Sequence, residues 1–163
     1  MKRSKKVVFA CHCLLNQNAR AQSVAKCPGL VKEFVDYCHA RDYGIIALDC
    51  PQLRFEPVNR PPATREHYEG KTARLACRKV INDVIRLTKM YRQAGFKVCG
   101  IFGVEGSPTC GAKRTHVLSK AGKSVSVRGD GVFFKELKKA LKKNKIKLPI
   151  FDWDIQAKKL ITN

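Results

Sequence analysis

Four short segments are largely apolar and show no alternation: KKVVFA (5–10), YGIIALDC (43–50), FKVCGIFGV (96–104) and LPIFDW (148–153). A strand with one wet face would alternate, so these must be covered on both sides. Between them lie segments whose apolar residues recur every three or four positions, as in helices with one buried face. Leu30, Phe34, Val35 and Cys38 mark a helix from about Pro28, a good first-turn residue. Leu75, Val80, Val84, Leu87 and Tyr91 mark a long one over 71–94, and Phe133, Leu137 and Leu141 a third over 131–145. The pattern predicts an α/β chain: a single Rossmann-like, doubly wound domain over residues 1–163, with a mainly parallel four-stranded sheet and helices on both faces. IQAKKLI (155–161) is expected to close the chain as a turn of helix. The proline-rich stretch 51–70 is expected to be irregular, and 111–131 is read as a glycine-rich, basic connection.

No apolar run approaches the roughly 18 residues of a membrane span. The N-terminal run VVFA, behind a few basic residues, is too short for the core of a secretion signal. A cytoplasmic protein without membrane contact is the expectation.

Eight cysteines are many for such a chain, and secreted disulfide frameworks are usually shorter and loop-rich. Cys38, Cys77 and Cys99 fall inside helix or strand patterns and read as small buried hydrophobes. The others lie in loops. In a doubly wound sheet every strand delivers its following loop to one edge, where ligands bind. Cys11 and Cys13 follow the first strand, Cys50 closes the second and Cys110 follows the third, so three strands bring thiols to that edge. Three thiolates suit zinc, copper(I) or an iron–sulfur cluster. Zinc would want a fourth ligand, for which His12 and His116 are available. A cluster on three cysteines leaves one iron open to a substrate.

The third of these loops, GVEGSPTCG (103–111), invites a phosphate-binding reading. It fails the phosphate-loop pattern: Gly106 and Gly111 are followed by Ala112 before Lys113, with no Ser or Thr at the magnesium position.

CHCLLNQNARAQ, LDCPQL and GVEGSPTCG resemble the C-L-L-[GN], C-P-[EQ] and G-S-P-[ST]-C-G blocks of the TudS-like thiouracil desulfidase family, in the same order. HCLLNQN places the resemblance in one branch of that superfamily. The resemblance implies a Rossmann-like domain holding a [4Fe-4S] cluster on Cys13, Cys50 and Cys110, with Cys11 a bystander. It also implies non-redox removal of sulfur from a thiolated nucleobase or nucleoside, the thiocarbonyl sulfur meeting the open iron while water attacks the carbon. Two departures stand out. Ile46 occupies the place, four residues before the second ligand, where the family carries an acidic residue, and QLRFEPVNRPPATREHYEG differs from the usual glycine- and proline-rich block.

Glu105 is the candidate general base in place of the missing acid, and Ser107 a candidate contact to substrate or cluster sulfur, or simply the turn former before Pro108. Asn16 and Asn18 read as loop-shaping residues, and Asp152 and Asp154 of DWD as caps at a strand end. Net charge is +20, with 33 Lys and Arg against 13 Asp and Glu. Such an excess suggests a polyanionic partner, with tRNA the candidate. Arg54, Arg60, Arg65, Lys113 and Arg114 lie in loops at the ligand edge, and Lys138 and Lys142 on an outward helix face could extend a phosphate-binding surface. Two other functions fit the same residues: a basic nucleic-acid-binding protein with structural zinc, and a sulfur-carrier or redox protein using Cys11 and Cys13.

Overall fold

The structure, a computed structural model, describes residues 2–161. The four expected strands form as β1 (Lys6–Ala10), β2 (Gly44–Ala47), β3 (Lys97–Val104) and β6 (Ile150–Asp154), all parallel, in the order β2-β1-β3-β6. The helices are α1 (His12–Leu15), α2 (Lys32–His39), α3 (Lys71–Gln93) and α4 (Val132–Lys143). Successive residues of a strand point to opposite faces, and β3 shows what covers each. Phe102 meets the rings of Phe34 and Tyr37 of α2 at 5.2 and 5.8 Å. On the other side, a Cβ added to Gly103 would collide with the Phe134 ring of α4. α3 packs beside α4 on that second face. The sheet is therefore doubly wound.

Three elements depart from the sequence expectation. IQAKKLI is not helical: Asp154 Oδ1 accepts the Ala157 amide (2.8 Å), and the chain turns back as β7 (Lys159–Ile161), antiparallel to β6 at the sheet edge. The basic stretch after Gly111 contains a hairpin, β4 (Arg114–Leu118) with β5 (Ser124–Arg128), closed by a turn with Gly122 at φ +72°. Its SVSVR segment alternates, as a strand with one wet face should. The helix expected from Pro28 begins only at Lys32, because Gly29 O accepts the Gln17 amide and the Val31 amide donates to Leu14 O, tying this bent segment to the first cysteine loop. Leu30 is accordingly exposed.

α3 forms almost as expected, but its buried stripe runs Ala73, Cys77, Val80, Val84 and Thr88, which turns Leu75 to solvent. Among the thiols taken as structural, Cys38 and Cys77 are buried while Cys99 is only half-buried. The segment 51–70 has two short 3₁₀ turns, Gln52–Arg54 and Arg65–Tyr68. No helix among the described residues is long and apolar enough to cross a membrane.

Gly103 is the tightest point in this architecture. A Cβ there would overlap the Cys110 carbonyl and the Asp152 carboxylate as well as Phe134. Gly103→Ala should therefore destabilise the fold by about 3 kcal/mol in denaturant unfolding. Gly29→Ala, with no atom within 4 Å of the new methyl, should stay within about 0.5 kcal/mol of the parent.

Candidate functional site

The chain runs from β1 outward to β2 in one direction and from β3 to β6 in the other, so the crevice of the sheet lies between β1 and β3. Cys11 stands at its floor, where its amide continues the ladder to Phe102 O (3.0 Å). The single turn of α1 then carries Cys13. Gln17, a buried amide, fixes this loop: its Nε2 donates to Cys13 O and its Oε1 accepts the Lys26 amide (3.0 Å). Asn16 Oδ1 accepts the Asn18 amide (3.1 Å), the loop-shaping role expected of this pair.

The third cysteine loop is a knot of backbone bonds. Val104 N donates to Cys110 O (2.8 Å) and Gly111 N to Ser107 O (3.0 Å). Ser107 Oγ accepts the Cys110 amide (3.0 Å), so this hydroxyl forms the turn. Asp152, at 0% exposure, accepts the amides of Ala112 (2.8 Å) and Lys113 (2.8 Å) from the end of β6. Burial raises its carboxyl to about 6 against the pull of those amides. The carbonyls of Pro108 and Thr109 accept the amides of Val132 and Phe133, which seats the loop on the first turn of α4.

Two side chains in series join all three loops. Arg60 is 3% exposed, and its guanidinium donates to Ala19 O (3.0 Å) in the first loop and to Gln52 Oε1 in the second. Gln52 Nε2 in turn donates to Thr109 Oγ1, next to Cys110. Glu56 lies 3.3 Å from the Arg60 Nε and balances the buried charge.

Held in this way, Cys13, Cys50 and Cys110 line one cavity of about 490 Å³, together with Glu105, Ser107 and His116. Burial pushes Cys13 up to about 12; the nearby Cys110 and Cys50 thiols add to the rise, while Arg20 opposes it. Cys110 is raised well above the ordinary thiol value, first by its hydrogen bond with Cys11 and then by burial. The partner bond lowers Cys11, but burial and the neighbouring thiols outweigh it. These thiols hold their protons until a positive centre takes them as thiolates.

That donor set has the softness an iron–sulfur cluster requires. Among the described residues no group of three His, Cys, Asp or Glu side chains could hold a single metal ion. A four-iron cluster places each thiolate on a different iron and so takes ligands spread more widely. In donor chemistry the residues fit such a group.

No family model matches the chain. Over 108 residues it is 31% identical to the uncharacterized protein MJ0003 of Methanocaldococcus jannaschii, an alignment that spans 66% of this chain and 69% of the other. The chain belongs to that protein's family. A solved structure titled as the [4Fe-4S]-dependent thiouracil desulfidase TudS shares its fold, with a TM-score of 0.57 and 23% identity over 90% of each chain. The architecture implied by the sequence blocks is thus the one observed.

Other expected site residues of this MJ0003-family chain fall in several places. Cys11 is 2% exposed, so it offers no solvent-facing exchange pair with Cys13. Arg60 is a correction, since its buried guanidinium is committed to the loop network and is withheld from a phosphate. Arg54 pairs with Asp49 (2.6 Å) and Arg65 with Glu69 (3.4 Å). Arg114 is exposed at the rim, 3.6 Å from Glu105 and 3.2 Å from Ser126 Oγ. Lys113 gives its amide to Asp152 at the foot of the hairpin. Lys138 is drawn back to Asp130 (2.5 Å) and Ala112 O (3.2 Å), and Lys142 lies exposed a turn further from the cavity.

Sequence reasoning passed over Gln17 and Gln52, because a glutamine in a loop carries no mark of burial. Replacing Arg60 by Met should cost on the order of 3 kcal/mol in urea unfolding, since Glu56 and Gln52 lose their buried partner. The double variant R60M/E56Q should recover part of that loss by removing a buried carboxylate left with only the exposed His67 ring, 2.6 Å away, as partner.

Proposed function

We propose that the chain is a [4Fe-4S]-dependent desulfidase that removes sulfur from thiolated uracil or thiouridine by hydrolysis, with Cys13, Cys50 and Cys110 as the cluster ligands. The observation that carries this reading is the gathering of these three thiols, one from each of three strand ends, on a single cavity. The shared fold with a protein titled as a thiouracil desulfidase supports the choice of reaction.

Bound there, the cluster would supply one iron without a protein ligand, a soft Lewis acid suited to a thiocarbonyl sulfur. The chain's own residues provide the rest. The loop bonds through Arg60, Gln52 and Asp152 keep the thiols in register, which limits reorganisation when a substrate enters. Tyr68 and Pro62 give the cavity apolar surface for a pyrimidine ring. Exchange of C=S for C=O by water leaves the carbon at one oxidation state, so the reaction balances without an electron donor.

Anaerobic reconstitution should give a brown protein with about four irons per chain that releases sulfide from 2-thiouracil or 4-thiouridine with no reductant present. Cys13→Ala, Cys50→Ala and Cys110→Ala should each lose the iron, while Cys38→Ala and Cys99→Ala should keep it. A colourless protein carrying one zinc, or turnover that depends strictly on a reductant, would count against the reading.

The charge of +20 favours a thiolated base carried in tRNA over a free base, since a neutral base calls for no such field. Arg20 and Lys26 line the cavity, Arg114 stands at its rim, and α4 leads away from it with Lys142 and Lys143 exposed. tRNA affinity should fall steeply between low and moderate salt. K142E/K143E should weaken it several-fold in filter binding while turnover of the free base is unchanged.

A further inference from the structure

The desulfidase reading leaves one role open: water must lose a proton to attack a thiocarbonyl carbon, and Ile46 stands where the resembling family carries an acid. Glu105 lines the cavity, but its carboxylate is partnered by Arg114 at 3.6 Å. Asp154 lines it too, with Oδ1 committed to the Ala157 amide.

His116 differs from both. It lies on β4, at the base of the hairpin, and is half-buried against the cavity. Its Nδ1 is 2.6 Å from Gly106 O. A carbonyl only accepts, so Nδ1 carries the hydrogen and the neutral ring keeps its lone pair on Nε2. Among the described residues Nε2 has no hydrogen-bond partner in the protein.

The seat of the ring is built into the glycine loop. Gly106 has φ +76°, a conformation that suits glycine. A Cβ there would approach His116 Cε1 to 3.1 Å and Nδ1 to 3.3 Å. The Cε1–Nδ1 edge is therefore the one laid on the loop, which leaves Nε2 on the outer edge. Gly106 also bridges to Thr115, so hairpin and loop are joined at this point.

We propose that His116 is the general base of the reaction, with its tautomer and orientation set by the Gly106 carbonyl. This rests on the desulfidase reading above. His116 Nε2 takes one proton from water as the water oxygen bonds to the thiocarbonyl carbon. The carbon–sulfur bond then breaks and sulfur leaves with the bonding electrons; it takes up the remaining hydroxyl proton as the carbonyl forms, and the imidazolium returns the first proton. The sum is C=S + H₂O → C=O + H₂S, balanced in atoms and electrons.

The test compares His116→Asn, His116→Gly and Gly106→Ala with the parent. Asparagine can still donate to the Gly106 carbonyl but has no basic nitrogen, so it separates positioning from proton transfer. His116→Asn should keep the parent's iron content and melting temperature and lose about 100-fold or more in kcat. His116→Gly should regain a measurable part of its rate with added imidazole. Gly106→Ala, which displaces the ring without removing it, should lower kcat at unchanged iron content. Nitrogen-15 NMR of the histidines in the metal-free parent gives a readout independent of turnover. His116 should show a protonated Nδ1 and a lone-pair Nε2, and Gly106→Ala should disturb that state. An active parent with an equally fast His116→Asn would overturn the assignment and leave the desulfidase reading standing, as would the opposite tautomer. A loaded parent that releases no sulfide would overturn both.

Discussion

The buried guanidinium of Arg60 is the interaction on which the site most depends. Loops after parallel strands are distant in sequence and have no ladder to align them. Here a single planar group reaches Ala19 of the first loop and Gln52 of the second, and Gln52 passes the connection to Thr109 of the third. The charge is tolerated at that depth because Glu56 stands beside it. Asp152 does similar work from the opposite side by accepting the amides that follow Cys110.

Buried and half-buried thiols make the same region electrostatically expectant. Cys11, Cys13 and Cys110 are all raised, and each thiolate that formed would make the next harder to form. A cationic centre reverses that sign, because its attraction is felt by every thiolate at once. The glycine loop answers to close packing more than to phosphate chemistry. Gly103 makes room for the Cys110 carbonyl, Gly111 for the Arg114 carbonyl and Gly106 for the His116 ring.

Much of the fold was legible because it follows from short-range pattern. Unalternating apolar runs mark doubly covered strands, and the four parallel ones appear close to their expected bounds. The helix over 71–94 is long enough for its periodicity to be unmistakable, though two apolar phases lie near each other and Leu75 falls on the wrong one. β7 was hidden because a three-residue strand has no period, and its pairing with β6 exists only once a turn at Asp154 reverses the chain. The hairpin could have been found from the alternation in SVSVR, but the density of lysine and glycine around it reads as loop.

The site divides along the same line. The sequence by itself determined which thiols travel together, since the order of strands in a parallel sheet sends Cys11, Cys13, Cys50 and Cys110 to one edge whatever the details of the loops. It also determined the charge, which is a sum over residues and needs no geometry. Only the tertiary structure decided that Arg60 is a buried clip, that Ser107 Oγ accepts the Cys110 amide, that Cys11 and Cys110 are both buried, and that His116 rests on Gly106. Each of these joins segments distant in the chain or depends on burial. Such pairings are set by packing and hydrogen-bond satisfaction across the whole molecule, which no local pattern encodes.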